Sequence, residues 1–105
     1  MASPTAQTSL DNAKGATVGL AVDFTVAKKD VSCVVFTSGL VTGGIVSIEA
    51  SHDSLNWVPM GSLATADGRA SSLDFSRGAY RYWRASILDP IKGGGTVSAT
   101  FMEAN

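Results

Sequence analysis

A chain of 105 residues fits one domain with a single modest core, and 45% hydrophobic residues exclude global disorder. A net charge of −1 supplies no basic excess for nucleic-acid phosphates and no polybasic patch for an anionic membrane, so neither partner is expected. Only 16% of residues are charged, low for a freely soluble monomer, which points to a surface partly covered by a partner. Residues 1–15 are small and polar, with Pro4 and Gly15. They lack the charged start and apolar core of a signal peptide and read as a flexible N-terminal arm ahead of a domain spanning residues 16–105. No window approaches 18 consecutive apolar residues, so no membrane span is expected.

From Thr17 the period is 2: Val18, Leu20, Val22, Phe24 and Val26 fall on one face, and Thr17, Gly19, Ala21, Asp23 and Thr25 on the other. A helix would set Val18 and Leu20 roughly 200° apart, so a long half-buried strand is predicted. K-K-D closes it. D-V-S-C-V-V-F-T-S opens a second strand, apolar on both faces, whose inward face stays open at this stage. Gly39 and T-G-G mark a turn. G-I-V-S-I-E-A-S follows, with Val46, Ile48 and Ala50 opposite Ser47, Glu49 and Ser51. H-D-S-L-N is a turn, and W-V-P-M-G is a short edge strand, because Pro59 has no ladder donor. A D-G turn at residues 66–69, a weak strand A-S-S-L-D-F-S and a turn at Arg77 and Gly78 lead to A-Y-R-Y-W-R-A-S-I-L. There Trp83, Ala85 and Ile87 oppose Tyr82, Arg84 and Ser86. D-P-I-K-G-G-G reads as a flexible loop, and the last strand turns Val97, Ala99 and Phe101 inward. The sum is an all-β fold, an antiparallel β-sandwich or jelly roll of seven to eight strands, with a small closed barrel as the alternative.

Little in this pattern carries chemistry. Cys33 is the only cysteine, so no internal disulfide and no thiolate zinc cluster can form, and in its apolar run it reads as a small core residue. Ser51, His52 and Asp53 are adjacent, and His52 is the only histidine. Neighbours on a strand point to opposite faces, so three in a row do not make a catalytic relay. Glu49 and Asp53 are the one carboxylate pair the hairpin brings near, and solvated acids fit them better than a glycosidase pair. No catalytic residue, cofactor or metal site is expected, and the protein does not read as an enzyme. Arg81 and Arg84 flank Trp83 beside Tyr80 and Tyr82, a set that suits core filling, a protein interface or a sugar platform.

S-I-E-A-S-H-D-S-L-N-W-V-P-M-G, then G-A-Y-R-Y-W-R-A-S-I, then G-G-T-V-S-A-T-F resembles the small β-sandwich virion proteins of tailed bacteriophages. Residues 46–61 match their hairpin and residues 80–85 their aromatic strand; the hairpin's usual D-G turn is D-S here. The similarity to discoidin-like and carbohydrate-binding sandwiches is weaker. The phage resemblance implies a structural virion protein with no catalytic residues to carry over. It implies a capsid decoration (cement) protein that binds the assembled head shell and bridges capsomers. Its partner would be the major capsid protein or another virion protein, and it would itself be a homo-oligomer, a dimer or trimer. Its place would be the virion, assembled in the host cytoplasm. Candidate contact residues are Pro4, Thr5 and Leu10 on the arm and Trp57, Tyr82 and Arg84 on the sandwich. The alternative is a carbohydrate-binding module, or a fibre or tail component, that presents Trp57, Trp83 or Tyr82 to a host glycan.

Overall fold

The computed structural model describes residues 7–28, 30–65, 71–75 and 80–103. Among these, the strands in chain order are β1 (Gln7–Ala13), β2 (Thr17–Val18), β3 (Val22–Lys28), β4 (Val31–Ser38), β5 (Gly43–Ser51), β6 (Val58–Ala64), β7 (Ser71–Phe75), β8 (Tyr80–Lys92) and β9 (Thr96–Glu103). They form two antiparallel sheets. The first has the order β1-β9-β4-β7, and the second β2-β8-β5-β6 with β3 also paired to β8. Among the described residues pairing does not run from one sheet into the other, so the fold is the sandwich and not the closed barrel.

The period-2 pattern explains the layering, because alternate side chains on a strand share a face. Val31, Cys33, Val35, Val97, Ala99 and Phe101 of the first sheet meet Val46, Ile48, Ala50, Trp83, Ala85 and Ile87 of the second, each no more than 3% exposed. Burying side chains of this size contributes about 1.5–3 kcal/mol each. The Trp83 ring lies 6.1 Å from Phe101 across the core, and its indole N–H donates to the Tyr80 carbonyl at 3.2 Å. The inward face of β4, open in the sequence, is settled by its register with β9: Cys33 pairs with Phe101 and Val35 with Ala99, which leaves Phe36 half exposed on the outside. Burial pushes the Cys33 thiol up to about 12, as suits a core residue. Pro59 sits on β6, the outer strand of the second sheet, as its missing donor requires.

Three expectations need correction. Seven residues of the supposed arm belong to the sandwich: Gln7–Ala13 is β1, paired with β9, and Leu10 is a core side chain at 3% exposure. Hydrophobic Leu10 alone breaks the polar pattern of that segment, which is why the sequence hides the strand. Secondly, the long strand from Thr17 is split. β2 and β3 both pair with β8, but residues 19–21 between them leave the ladder, so Val18 (61%) and Leu20 (74%) are exposed while Val22 and Phe24 are buried. The break is fixed by Ser9, whose hydroxyl donates to the Leu20 carbonyl at 2.7 Å and accepts from the Ala85 amide at 2.9 Å. Gly19 donates to the Ala85 carbonyl at 2.8 Å, an approach that any side chain there would block. Thirdly, β8 runs on to Lys92, past Pro90, which register shifts against β5 accommodate. Two of the three glycines after it are packed: Gly95 donates to the Leu40 carbonyl at 2.7 Å, and Gly93 has a φ of +102° against the same carbonyl, while Gly94 faces open space. The side chain of Val26 and the turns at 66–69 and 77–78 lie outside the described residues.

Candidate functional site

The two ends of the slab differ. One end holds the paired loops at residues 39–42 and 93–95. At the other, β5 turns into β6 through residues 52–57, beside the start of β8. Ser51 pairs with Tyr82, and Glu49 with Arg84.

The corner is a hydrogen-bonded turn. The Ser51 hydroxyl donates to Asp53 Oδ1 at 2.9 Å and accepts from the Ser54 amide. Asp53 Oδ1 also accepts from the Leu55 and Asn56 amides at 2.9 and 2.8 Å, and Oδ2 from the Asn56 side chain at 2.8 Å. Those donors, the Asn56 amide first, hold the Asp53 carboxyl well below the usual carboxylate range. Asp and Ser fold this way because their short oxygens reach amides two and three residues on. His52 takes no part. Its ring stacks on Tyr80, with centroids 4.6 Å apart. The Ser-His-Asp triplet is therefore a corner in which the hydroxyl reaches the carboxylate directly and the imidazole points elsewhere. The corner displays Leu55 at its tip, 81% exposed.

On the outer face beside the corner lies a charged aromatic cluster. Arg84 Nε donates to Glu49 Oε1 at 2.9 Å, and the guanidinium carbon stands 4.1 Å from the centre of the Trp57 ring. Stacking on an indole uses the flat guanidinium face and leaves its edge for the carboxylate. The Trp57 N–H donates to the Ser54 carbonyl at 3.2 Å, which ties the ring to the corner. The Ser86 hydroxyl donates to the same Glu49 oxygen. Nearer the start of β8, Arg81 makes a two-point contact with Asp23 of β3 at 2.7 and 3.0 Å and lies 5.0 Å from the Tyr82 ring centre. Arg81, with the Thr25 amide, keeps Asp23 below its ordinary pKa.

Of the six candidate contact residues, the structure gathers Trp57, Tyr82 and Arg84 at this end. Leu10 is removed from the set by its burial, and Pro4 and Thr5 lie outside the described residues. Gln7, where the described chain starts, reaches Asp23: its side-chain amide donates to that carbonyl at 3.4 Å. Gln7 thus stands beside Asp23, which pairs with Tyr82 and bonds Arg81. Trp83, a candidate for the sugar platform, is core at 1% exposure. The sequence reading missed Glu49 as the partner of Arg84 and Asp23 as the partner of Arg81. The first was findable, since facing positions on neighbouring strands with opposite charge attract. The second depends on the kink at Thr25, whose φ of +69° no pattern announces. No group of three or more potential metal ligands occurs among the described residues.

No family model matches the chain, and no curated protein matches it in sequence. Among solved structures it is similar to the crystal structure of SPBc2 prophage-derived protein YomS, with a TM-score of 0.64 over 98% of this chain and 97% of the other. At 14% identity that likeness concerns the fold.

Proposed function

We propose that the protein is a structural component of a tailed-phage virion, a decoration (cement) protein that docks on the assembled head shell through its corner end. The observation that carries the reading is the gathering, at one end of the sandwich, of Trp57, Tyr82 and Arg84 beside Gln7 and Asp23. Aromatic and arginine side chains held by their own hydrogen bonds are what interface hot spots use, because little entropy is lost when they are covered. A lattice of copies multiplies weak contacts into strong retention. The prophage origin of the protein with the similar fold agrees with the sequence resemblance to virion proteins. The role is scaffolding rather than catalysis, and the virion is its place.

Co-sedimentation with purified heads of the phage or prophage that encodes the chain tests this. A deletion must stop at residue 6, because a longer one removes β1 and with it a core strand. The intact chain should pellet with heads. Arg84→Glu, Trp57→Ala and the deletion of residues 1–6 should each weaken binding by at least ~10-fold while circular dichroism stays unchanged. Failure of the intact chain to bind heads, or full binding by all three variants, would sink the proposal. Retention on a glycan array by the same protein would then favour the carbohydrate-binding alternative.

A further inference from the structure

In most exposed turns the polar side chains bond water. At residues 52–57 their donors and acceptors are engaged with one another. The Ser51 hydroxyl, the Leu55 and Asn56 amides and the Asn56 side chain fill both oxygens of Asp53. The Trp57 N–H is taken by the Ser54 carbonyl. What the turn presents outward is apolar. Leu55, 81% exposed, is the most exposed large hydrophobic side chain among the described residues. The start of β6 continues this character, with Trp57 half-buried, Val58 43% exposed and Pro59 exposed. A single exposed leucine is ordinary on a protein surface. This one sits at the apex of a turn that its own polar groups pin, with an apolar run behind it.

The charges beside the turn already have partners within the chain. Arg84 holds Glu49, and Arg81 holds Asp23 at two points. An ion pair with another molecule would have to break one of these first. The corner therefore offers a firm apolar projection and few free charges. We infer, resting on the docking proposed above, that Leu55 is its anchor and that the shell site it enters is an apolar pocket with no excess of charge.

Taking an apolar side chain out of water favours association, and a side chain on a prebuilt turn loses little freedom when it is covered. A pocket suits it better than a flat patch, because a side chain open on most sides is covered only by a concave partner. Excluding water from the corner leaves no orphaned acceptor on Asp53, since donors of the chain already fill both its oxygens. Other exposed leucines lack this setting. Leu40 lies in the loop at the opposite end, and Leu88 lies within β8.

Co-sedimentation of the full chain with purified heads, at about 0.05 M and about 0.5 M sodium chloride, is the test. Affinity should change by less than ~2-fold between the two, since salt screens ion pairs and not apolar burial. Leu55→Ala should weaken binding at least ~10-fold, and Leu55→Met, which keeps the apolar bulk, should stay within ~3-fold of the intact chain. Leu40→Ala, at the opposite end, should leave binding unchanged. Circular dichroism of each variant establishes that the fold is kept, as expected for side chains that are mostly in water. No binding of the intact chain at either salt concentration would remove the docking itself and the anchor with it. Binding that Leu55→Ala leaves intact, that Leu40→Ala weakens equally, or that falls more than ~10-fold at the higher salt would overturn the anchor and leave the docking standing.

Discussion

Both oxygens of Asp53 are occupied, Oδ1 by the Leu55 and Asn56 amides and the Ser51 hydroxyl, and Oδ2 by the Asn56 side chain. The ionised form is the one these donors favour, so its folded pKa is depressed below the unfolded value of about 3.9. A depressed carboxylate adds stability that is fully present above the unfolded pKa and drains away as pH falls through the folded one. Asp23, held by Arg81, acts in the same direction. Thermal melts between about pH 6 and about pH 2 should therefore show stability declining below about pH 4. Asp53→Asn should be less stable near neutral pH and decline less steeply in acid. Parallel declines in the two proteins would contradict this account. Ser51, Asp53 and Trp57 could all be placed at the corner from sequence, because turn chemistry is local. The stacking of His52 on Tyr80 could not, because it depends on which strand lies beside the turn.

Elements joined by alternation were legible and elements joined by exception were not. β5 and β9, and the inner face of β8, follow strict inside-outside patterns, and the structure buries the residues that those patterns select. β1 hides because a strand at a sheet edge needs few apolar residues, and Leu10 supplies the core contact nearly by itself. The break between β2 and β3 hides because its cause is tertiary: Ser9 and Gly19 meet Ala85 from distant parts of the chain. Gly19→Ala should therefore cost at least ~2 kcal/mol in urea unfolding, since the added methyl collides with the Ala85 carbonyl and the Ser9 hydroxyl. Gly15→Ala, where a methyl meets open space, should stay within ~0.5 kcal/mol of the wild type. Equal effects at the two glycines would mean that the close approach at residue 19 is not what holds the break.

At the scale of the molecule, the first strand pairs with the last and β3 pairs with β8, so few contacts form between near neighbours in sequence. Loops must close before such pairings reward the chain, and refolding is expected in milliseconds to seconds. Stopped-flow fluorescence of the buried Trp83 should show it, and completion within microseconds would contradict the pairing order. The same first-to-last pairing has a practical outcome. Gln7 lies opposite Phe101, so anything fused ahead of β1 or behind β9 emerges at the corner end, where it would crowd the docking surface. A circular permutant avoids that. A linker from Asn105 to Met1, which keeps residues 1–6, and new ends opened at Gly94, where an added side chain would meet open space, would send a displayed cargo away from the shell and keep it off the corner.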